Sequence, residues 1–202
     1  MVCTDLDEAA VARTAAPLGA RSARLDVTDV AAVQACVDDV VHGVAAAYPQ
    51  MVRQGFGNII NTASVAELAA AGQITSYVMS KHAVVGLSLA LRSEAAAHGV
   101  GVLAICPAAV ETPLLDKGAV GGFAGRDYYL KGQGIKTAYD ADRLARDTLR
   151  AIERIKALLV KPRRAHAAWL FARFAPGLMQ RMSIRFVARQ RETQSRSSVG
   201  LS

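Results

Sequence analysis

Short apolar runs alternate with longer helical patterns along most of the chain. Aliphatic or β-branched runs lie at residues 1–5, 23–27, 57–61, 101–106 and 157–160. Helical spacing and composition occupy the segments between them, at about residues 7–17, 29–54, 76–98 and 138–156. Strands that alternate with helices of this length predict an α/β fold, with a parallel sheet covered by helices.

Four polar residues follow two of these strands. Ser64 comes just after the strand at 57–61, and Tyr77 and Lys81 lie thirteen and seventeen residues beyond it, in the next helix. Thr112 follows the strand at 101–106. Ligands bind at the carboxyl edge of open parallel sheets, so we expect these side chains to converge there. Taken alone, the Tyr–Lys pair is equally consistent with an ordinary helix, in which residues four apart share a face without any catalytic role.

The segments NTASVAE, SYVMSK and ICPAAVETPL, in this order and spacing, resemble the short-chain dehydrogenase/reductase family. The resemblance implies a Rossmann-like three-layer fold and an oxidoreductase that moves hydride between a nicotinamide cofactor and an alcohol or ketone. It implies Ser64, Tyr77 and Lys81 as catalytic residues, with Ser64 and Tyr77 contacting the substrate. Family members also form homo-oligomers through the helix that carries Tyr and Lys, and residues 84–91 are apolar enough to do so here.

The implied chemistry is physically consistent. A free phenol has a pKa of about 10 and is a poor base near neutrality. A lysine ammonium a few ångströms away would favour the charged phenolate. Tyr77 would then exchange a proton with the substrate oxygen, and Ser64 would hydrogen-bond that oxygen as charge develops on it.

The same resemblance implies cofactor contacts at Asp5, Asp26, Val27, Tyr77, Lys81, Pro107, Val110 and Thr112. Lys81 would hold the nicotinamide ribose and Thr112 the carboxamide. A carboxylate at Asp5 accepts a hydrogen bond from the ribose 2′-hydroxyl and repels a 2′-phosphate, and residues 1–12 contain no Arg or Lys. NAD is therefore predicted over NADP, although Asp also commonly ends strands and caps helices.

Two parts of the family pattern are absent from the sequence. No Thr-Gly-x-x-x-Gly-x-Gly turn occurs, and the only glycines before Gly55 are Gly19 and Gly43. Residues 26–61 are too few for two helices and a strand of average size, about 11–12 and 5–6 residues. We therefore predict an incomplete sheet that lacks the family's first and fourth strands, with a join near residues 41–42. The outer strands would close on each other or leave the chain unstable. The alternative functions are a non-catalytic remnant, or an interaction or membrane-surface module that uses the basic C-terminal helices.

Positive charge is concentrated at the C-terminus. The chain has a net charge of +7, and residues 161–202 hold nine Lys or Arg and a single acid. The remainder is near neutral, which argues against a nucleic-acid partner. We predict a partial Rossmann-like domain at 1–161, a basic extension of two short amphipathic helices at 162–191, interrupted at Pro176 and Gly177, and a disordered tail at 192–202.

Three interpretations of the basic helices stay open: packing on the body or a partner subunit, a surface helix on anionic lipid, or an active-site lid.

The three cysteines are scattered and form neither a disulfide framework nor a metal site. No apolar run has the roughly 18 residues of a membrane helix. These features, with no signal segment, predict a cytoplasmic protein. Residues 65–75 and 114–136 would shape a pocket for a small, apolar alcohol or ketone.

Overall fold

The computed structural model describes residues 2–5, 12, 16, 21–24, 30–67, 74–117, 119–120, 123–124, 126, 129–130 and 135–199. The first half contains β1 (Val2–Asp5), β2 (Arg21–Arg24), α1 (Val30–Gln54), β3 (Gly57–Thr62), α2 (Thr75–Ala95) and β4 (Val100–Pro107). The second half contains α3 (Leu114–Lys117), β5 (Ala119–Val120), β6 (Phe123–Ala124), α4 (Ala141–Glu153), β7 (Leu158–Lys161), α5 (Arg163–Phe174) and α6 (Pro176–Val199).

Strands β3, β4 and β7 form a three-stranded parallel sheet with β4 at its centre. The β3–β4 ladder runs from the pair Gly57 and Val100 to the pair Thr62 and Ile105. The β4–β7 ladder ends on the pair Pro107 and Lys161. All three strands therefore end at one edge of the sheet, and the predicted α/β fold with a parallel sheet is confirmed.

The central strand β4 is buried on both faces because its side chains alternate between two helical layers. Val102 packs with Ile59 and Leu91, and the α1 residues Val44, Tyr48 and Met51 lie against this cluster. The next residue, Leu103, packs with Ala151 of α4 and Leu159 of β7. Helices thus cover both faces of the sheet, giving the predicted three layers.

The sheet is incomplete, as predicted. β1 and β2 pair in parallel as a separate two-stranded sheet, and among the strands the structure describes no ladder joins them to β3, β4 and β7. The outer strand groups therefore do not close on each other through hydrogen bonds. The predicted join falls inside α1, which is one continuous helix of 25 residues with Pro49 in its interior.

Several boundaries differ from those predicted. β2 lies at Arg21–Arg24 instead of 23–27, and the helix predicted at about 7–17 falls almost entirely outside the described residues. The C-terminal break lies at Ala175, because Pro176 suits the first turn of a helix, and Gly177 lies inside α6.

The helix α6 is long, with 24 residues, instead of short. It continues to Val199, past the tail boundary predicted at Glu192, because no Gly or Pro occurs between Gly177 and Gly200. In the described part of the chain, no helix has the length and apolar character needed to cross a membrane.

The turns that lead into β3 and β4 touch each other. Gly55 and Gly99 both have left-handed backbones, with φ of 75° and 69°. A Cβ atom on Gly99 would collide with the carbonyl oxygen of Gly55. At Gly99 only glycine satisfies both the backbone conformation and the close approach, so the contact between these turns fixes how the two strands enter the sheet.

Candidate active site

Tyr77 and Lys81 lie one helical turn apart at the start of α2. The Lys81 Nζ atom donates a hydrogen bond of 3.2 Å to the carbonyl oxygen of Thr62, the last residue of β3. The same Nζ atom lies 5.6 Å from the centroid of the Tyr77 ring. The structure thus brings Tyr77 and Lys81 together at the carboxyl end of β3.

Ser64 is buried two residues beyond the end of β3. Its Oγ atom accepts a hydrogen bond of 3.1 Å from the backbone N–H of Ala66, which orients the hydroxyl group. Ala66 and Ile74 form an apolar cluster against which Tyr77 and Tyr129 pack. The loop that carries Ser64 and the helix that carries Tyr77 therefore share a small core.

Pro107, Val110 and Thr112 lie at the carboxyl end of β4. Pro107 is the last residue of that strand, and Val110 forms a parallel bridge with Tyr139. The Thr112 hydroxyl lies 3.5 Å from the Val110 carbonyl oxygen, to which it donates. Thr112 also lines an open depression of about 380 Å³, together with Glu111, Pro113 and Asp116.

An arginine that the sequence analysis missed pairs with two carboxylates beside this depression. Arg126 donates to both carboxylate oxygens of Glu111 and to both of Asp116. Hydrogen bonds from Arg126 hold the pKa of each carboxyl below its ordinary value. The sequence gives only a weak hint of this pairing, namely that Arg126 is the only arginine between Arg92 and Arg143. The pairing holds Arg126, which lies within the segment 114–136 predicted to shape the pocket, against Glu111 in the loop of Thr112.

A second network holds the loop after β4 from its other side. The Tyr139 hydroxyl donates to Asp147 Oδ2 at 2.7 Å, and Lys161 Nζ pairs with the same oxygen at 2.8 Å. The Tyr139 backbone bonds to Ala109 and Glu111, and the Lys161 carbonyl accepts from the Ala108 N–H. Hydrogen bonds from Lys161 and Tyr139 lower the pKa of Asp147.

Replacing Asp147 by asparagine should lower the free energy of unfolding by about 1–3 kcal/mol at neutral pH, because two hydrogen bonds to a charged group are weakened. The folded-state pKa of Asp147 is lowered, so its contribution is present above the ordinary aspartate pKa of about 3.9 and is lost as the pH falls through the folded value. Urea unfolding should therefore show a difference in the free energy of unfolding between Asp147→Asn and the wild-type protein, and this difference should disappear at acidic pH.

The exposed Glu153, at the end of the same helix, provides the matched control as Glu153→Gln. That variant should change the free energy of unfolding by less than about 0.5 kcal/mol. A difference between Asp147→Asn and the wild-type protein that persists at acidic pH would contradict the role given to the carboxylate.

The adenosine contacts predicted from the sequence fall largely outside the described residues. Asp5 is the last residue of β1, which pairs in parallel with β2. Asp26 and Val27 lie outside the described residues. The predicted nicotinamide contacts, in contrast, all lie within them.

Comparisons with known proteins give one consistent result. The sequence model of the short chain dehydrogenase family matches residues 31–119. D-beta-hydroxybutyrate dehydrogenase of Rhizobium meliloti is 42% identical over 76 residues, which are 38% of this chain and 30% of that protein. 2-(R)-hydroxypropyl-CoM dehydrogenase of Xanthobacter autotrophicus is 40% identical over 72 residues, 36% of this chain and 29% of that protein. These matches span less than a third of each relative's own length.

Solved structures resemble the chain over a larger share of its length. A short chain dehydrogenase/reductase of Burkholderia phymatum in complex with NAD has a TM-score of 0.61 and 25% identity, covering 88% of this chain and 85% of that one. A short-chain dehydrogenase of Sphingobium yanoikuyae in complex with NADPH has a TM-score of 0.58 and 21% identity, covering 89% and 85%. The second likeness shows the fold alone.

Proposed function

We propose, from the premise that this chain is a relative of the short-chain dehydrogenases, that it moves hydride between a nicotinamide cofactor and an alcohol or ketone. One observation carries the proposal. The Lys81 ammonium lies 5.6 Å from the Tyr77 ring centroid at the carboxyl end of β3, beside the loop that carries Ser64. An ammonium near the phenol favours its charged form, which supports a role for Tyr77 in proton transfer to a substrate oxygen.

Tyr77 is the acid and base in this proposal. In ketone reduction its hydroxyl gives a proton to the carbonyl oxygen, and in alcohol oxidation its phenolate takes that proton back. The Lys81 cation favours the phenolate by simple Coulomb attraction, and its own position is held by the Thr62 carbonyl oxygen.

Ser64 stabilises the substrate oxygen. A serine hydroxyl is a hydrogen-bond donor as well as an acceptor, and the bond that Ser64 Oγ accepts from the Ala66 N–H holds this hydroxyl in the loop after β3. That donor would meet the oxygen on which negative charge develops. Tyr129, which packs on the same apolar cluster as Tyr77, would line the substrate side of the site.

The described residues suit the nicotinamide end of a cofactor. Lys81 would bind the nicotinamide ribose, Thr112 the carboxamide, and Pro107 and Val110 would flank the ring beside the open depression at Thr112. When bound, the cofactor supplies or accepts the hydride. Among these 202 residues, the contacts proposed for a cofactor are those of its nicotinamide and adenosine ends, and no glycine-rich turn for the pyrophosphate occurs.

The cofactor would be NAD in preference to NADP. Asp5 ends β1, and a carboxylate at the end of that strand would accept from the ribose 2′-hydroxyl and repel a 2′-phosphate. Asp26 and Val27 would contact the adenine. The neighbour from Burkholderia phymatum is in complex with NAD, which supports a nicotinamide cofactor.

Titration with NADH, followed by nicotinamide fluorescence, tests the proposal. Saturable binding of NADH is expected, with weaker binding of NADPH. Asp5→Asn should reduce the difference in affinity between NADH and NADPH.

The second candidate function is a non-catalytic remnant, favoured by the absent glycine-rich turn and the divided sheet. Absence of saturable binding by both cofactors would sink the oxidoreductase proposal and support the remnant.

The substrate would be a small alcohol or ketone. The two relatives are named as dehydrogenases of hydroxybutyrate and of hydroxypropyl-CoM, both of which carry a hydroxyl group on a short carbon chain. With NADH bound, short ketones should be reduced, which is measured as loss of nicotinamide absorbance.

We further propose a homo-oligomer that forms through the outer face of α2. Within residues 84–91, Val84, Ser88 and Leu91 are buried in the core of the chain. The outer face instead exposes Met79 and Leu89, with Gly86 between them in sequence. Any subunit contact would therefore use this narrower apolar strip.

A further inference from the structure

The helix α5 has two distinct faces. Ala165 and Trp169, one turn apart, pack against the buried cluster that includes Cys106 and Val160. Phe174 lies nine residues after Ala165, on the opposite side of the helix, and is 86% exposed. Leu170, one turn before Phe174, is also exposed. The outer side of α5 is thus apolar although the inner side already anchors the helix to the sheet.

The next helix, α6, also exposes apolar side chains. Leu178 and Met182, one helical turn apart, are 51% and 53% exposed. Met179 and Phe186 are more buried on another side of the same helix. We call the exposed set the basic apolar surface; its apolar members are Leu170, Phe171, Phe174, Leu178 and Met182.

Positive charge accompanies these apolar residues. Residues 162–191 contain no Asp or Glu. The exposed arginines of the basic apolar surface are Arg163, Arg164, Arg181 and Arg185. A surface that combines aromatic and aliphatic side chains with arginines and no acid is complementary to an apolar phase covered by negative charge.

We propose that the basic apolar surface docks on an anionic lipid surface. Phe174, Leu178 and Met182 would enter the boundary between headgroups and acyl chains, while the arginines pair with lipid phosphates and carboxylates. A second copy of the chain fits this surface poorly, because an isologous contact would bring arginines against arginines with no acid to pair them. The proposal does not depend on the enzymatic activity proposed above.

Flotation of the full chain with lipid vesicles tests this proposal. The protein should float with vesicles of phosphatidylcholine and phosphatidylserine and stay in solution with phosphatidylcholine alone. Raising the ionic strength from about 0.1 M to about 1 M shortens the screening length from about 10 Å to about 3 Å, so binding should weaken strongly.

Two variants separate the charge from the apolar contribution. Arg181→Gln combined with Arg185→Gln should weaken binding about 25-fold, at about fivefold for each arginine near an anionic surface. Phe174→Ser should weaken it on the order of tenfold by removing an aromatic side chain from the lipid boundary.

The matched controls are Arg53→Gln with Arg154→Gln, and Phe56→Ser, which remove exposed arginines and an exposed phenylalanine outside the surface. These controls should bind vesicles as the wild-type chain does, and circular dichroism should show all variants folded. Equal binding to both kinds of vesicle, or equal losses in the controls, overturns the proposal. A dimer in solution that Phe174→Ser dissociates would assign the surface to a second copy, and would also overturn it.

Discussion

Replacing Tyr77 by phenylalanine should lower the rate of ketone reduction by about 100- to 10,000-fold, the usual contribution of a positioned acid or base. The change removes only the hydroxyl group that is proposed to give the proton to the substrate oxygen. The ring remains and can still pack against the cluster of Ala66 and Ile74. The affinity for NADH should therefore change little, so the loss should fall on kcat. Both quantities are measured with NADH, by absorbance for turnover and by fluorescence for binding.

Tyr48→Phe provides a matched control, since Tyr48 is a partly buried tyrosine that packs on the other apolar cluster, near Val102. It loses the same hydroxyl group outside the site and should retain turnover. Undiminished turnover in Tyr77→Phe would show that another group transfers the proton. A parallel loss in both variants would mean that folding, and not proton transfer, is affected.

Replacing Leu103 by alanine should lower the free energy of unfolding by about 2–5 kcal/mol, the usual cost of truncating a buried leucine. Leu103 is 3% exposed and lies on the central strand, between Ala151 of α4 and Leu159 of β7. Both of these neighbours are themselves buried, so they can relax only partly into the cavity that the truncation leaves. Such a loss is large against the roughly 5–15 kcal/mol that stabilises a typical domain.

Leu149→Ala is the control for this truncation, because Leu149 lies on α4 and is 61% exposed. It should change the free energy of unfolding by about 0.5 kcal/mol or less. Urea unfolding followed by circular dichroism measures both variants. Similar effects at the two positions would contradict the packing of α4 on the sheet.

The central part of the fold was predictable because local patterns determine it. The apolar runs at 57–61 and 101–106 became β3 and β4 with boundaries that moved by one residue at most. The spacing of Tyr77 and Lys81 indicated a shared helix face, and the hydrogen bond from Lys81 to Thr62 connects that face to the strand end.

The ionic networks around the site were not predictable, because they join residues distant in sequence. Arg126 reaches Glu111 across 15 residues, and Lys161 reaches Asp147 across a strand boundary. Neither pair lies at a spacing that a helix or a strand makes adjacent. The length of α6 was missed for another reason: its polar C-terminal half resembles a disordered segment, although it contains no helix-breaking residue.

The touching turns at Gly55 and Gly99 give the two ends of the main sheet different freedom to evolve. At the amino end of β4, a side chain on Gly99 would collide with the Gly55 backbone in the turn into β3, so mutation there would disturb both turns at once. At the carboxyl ends the strands continue into loops whose side chains carry the proposed chemistry. Mutations at the carboxyl ends could thus change the substrate or abolish activity, while the contact between the turns at the amino ends preserves the pairing of β3 with β4.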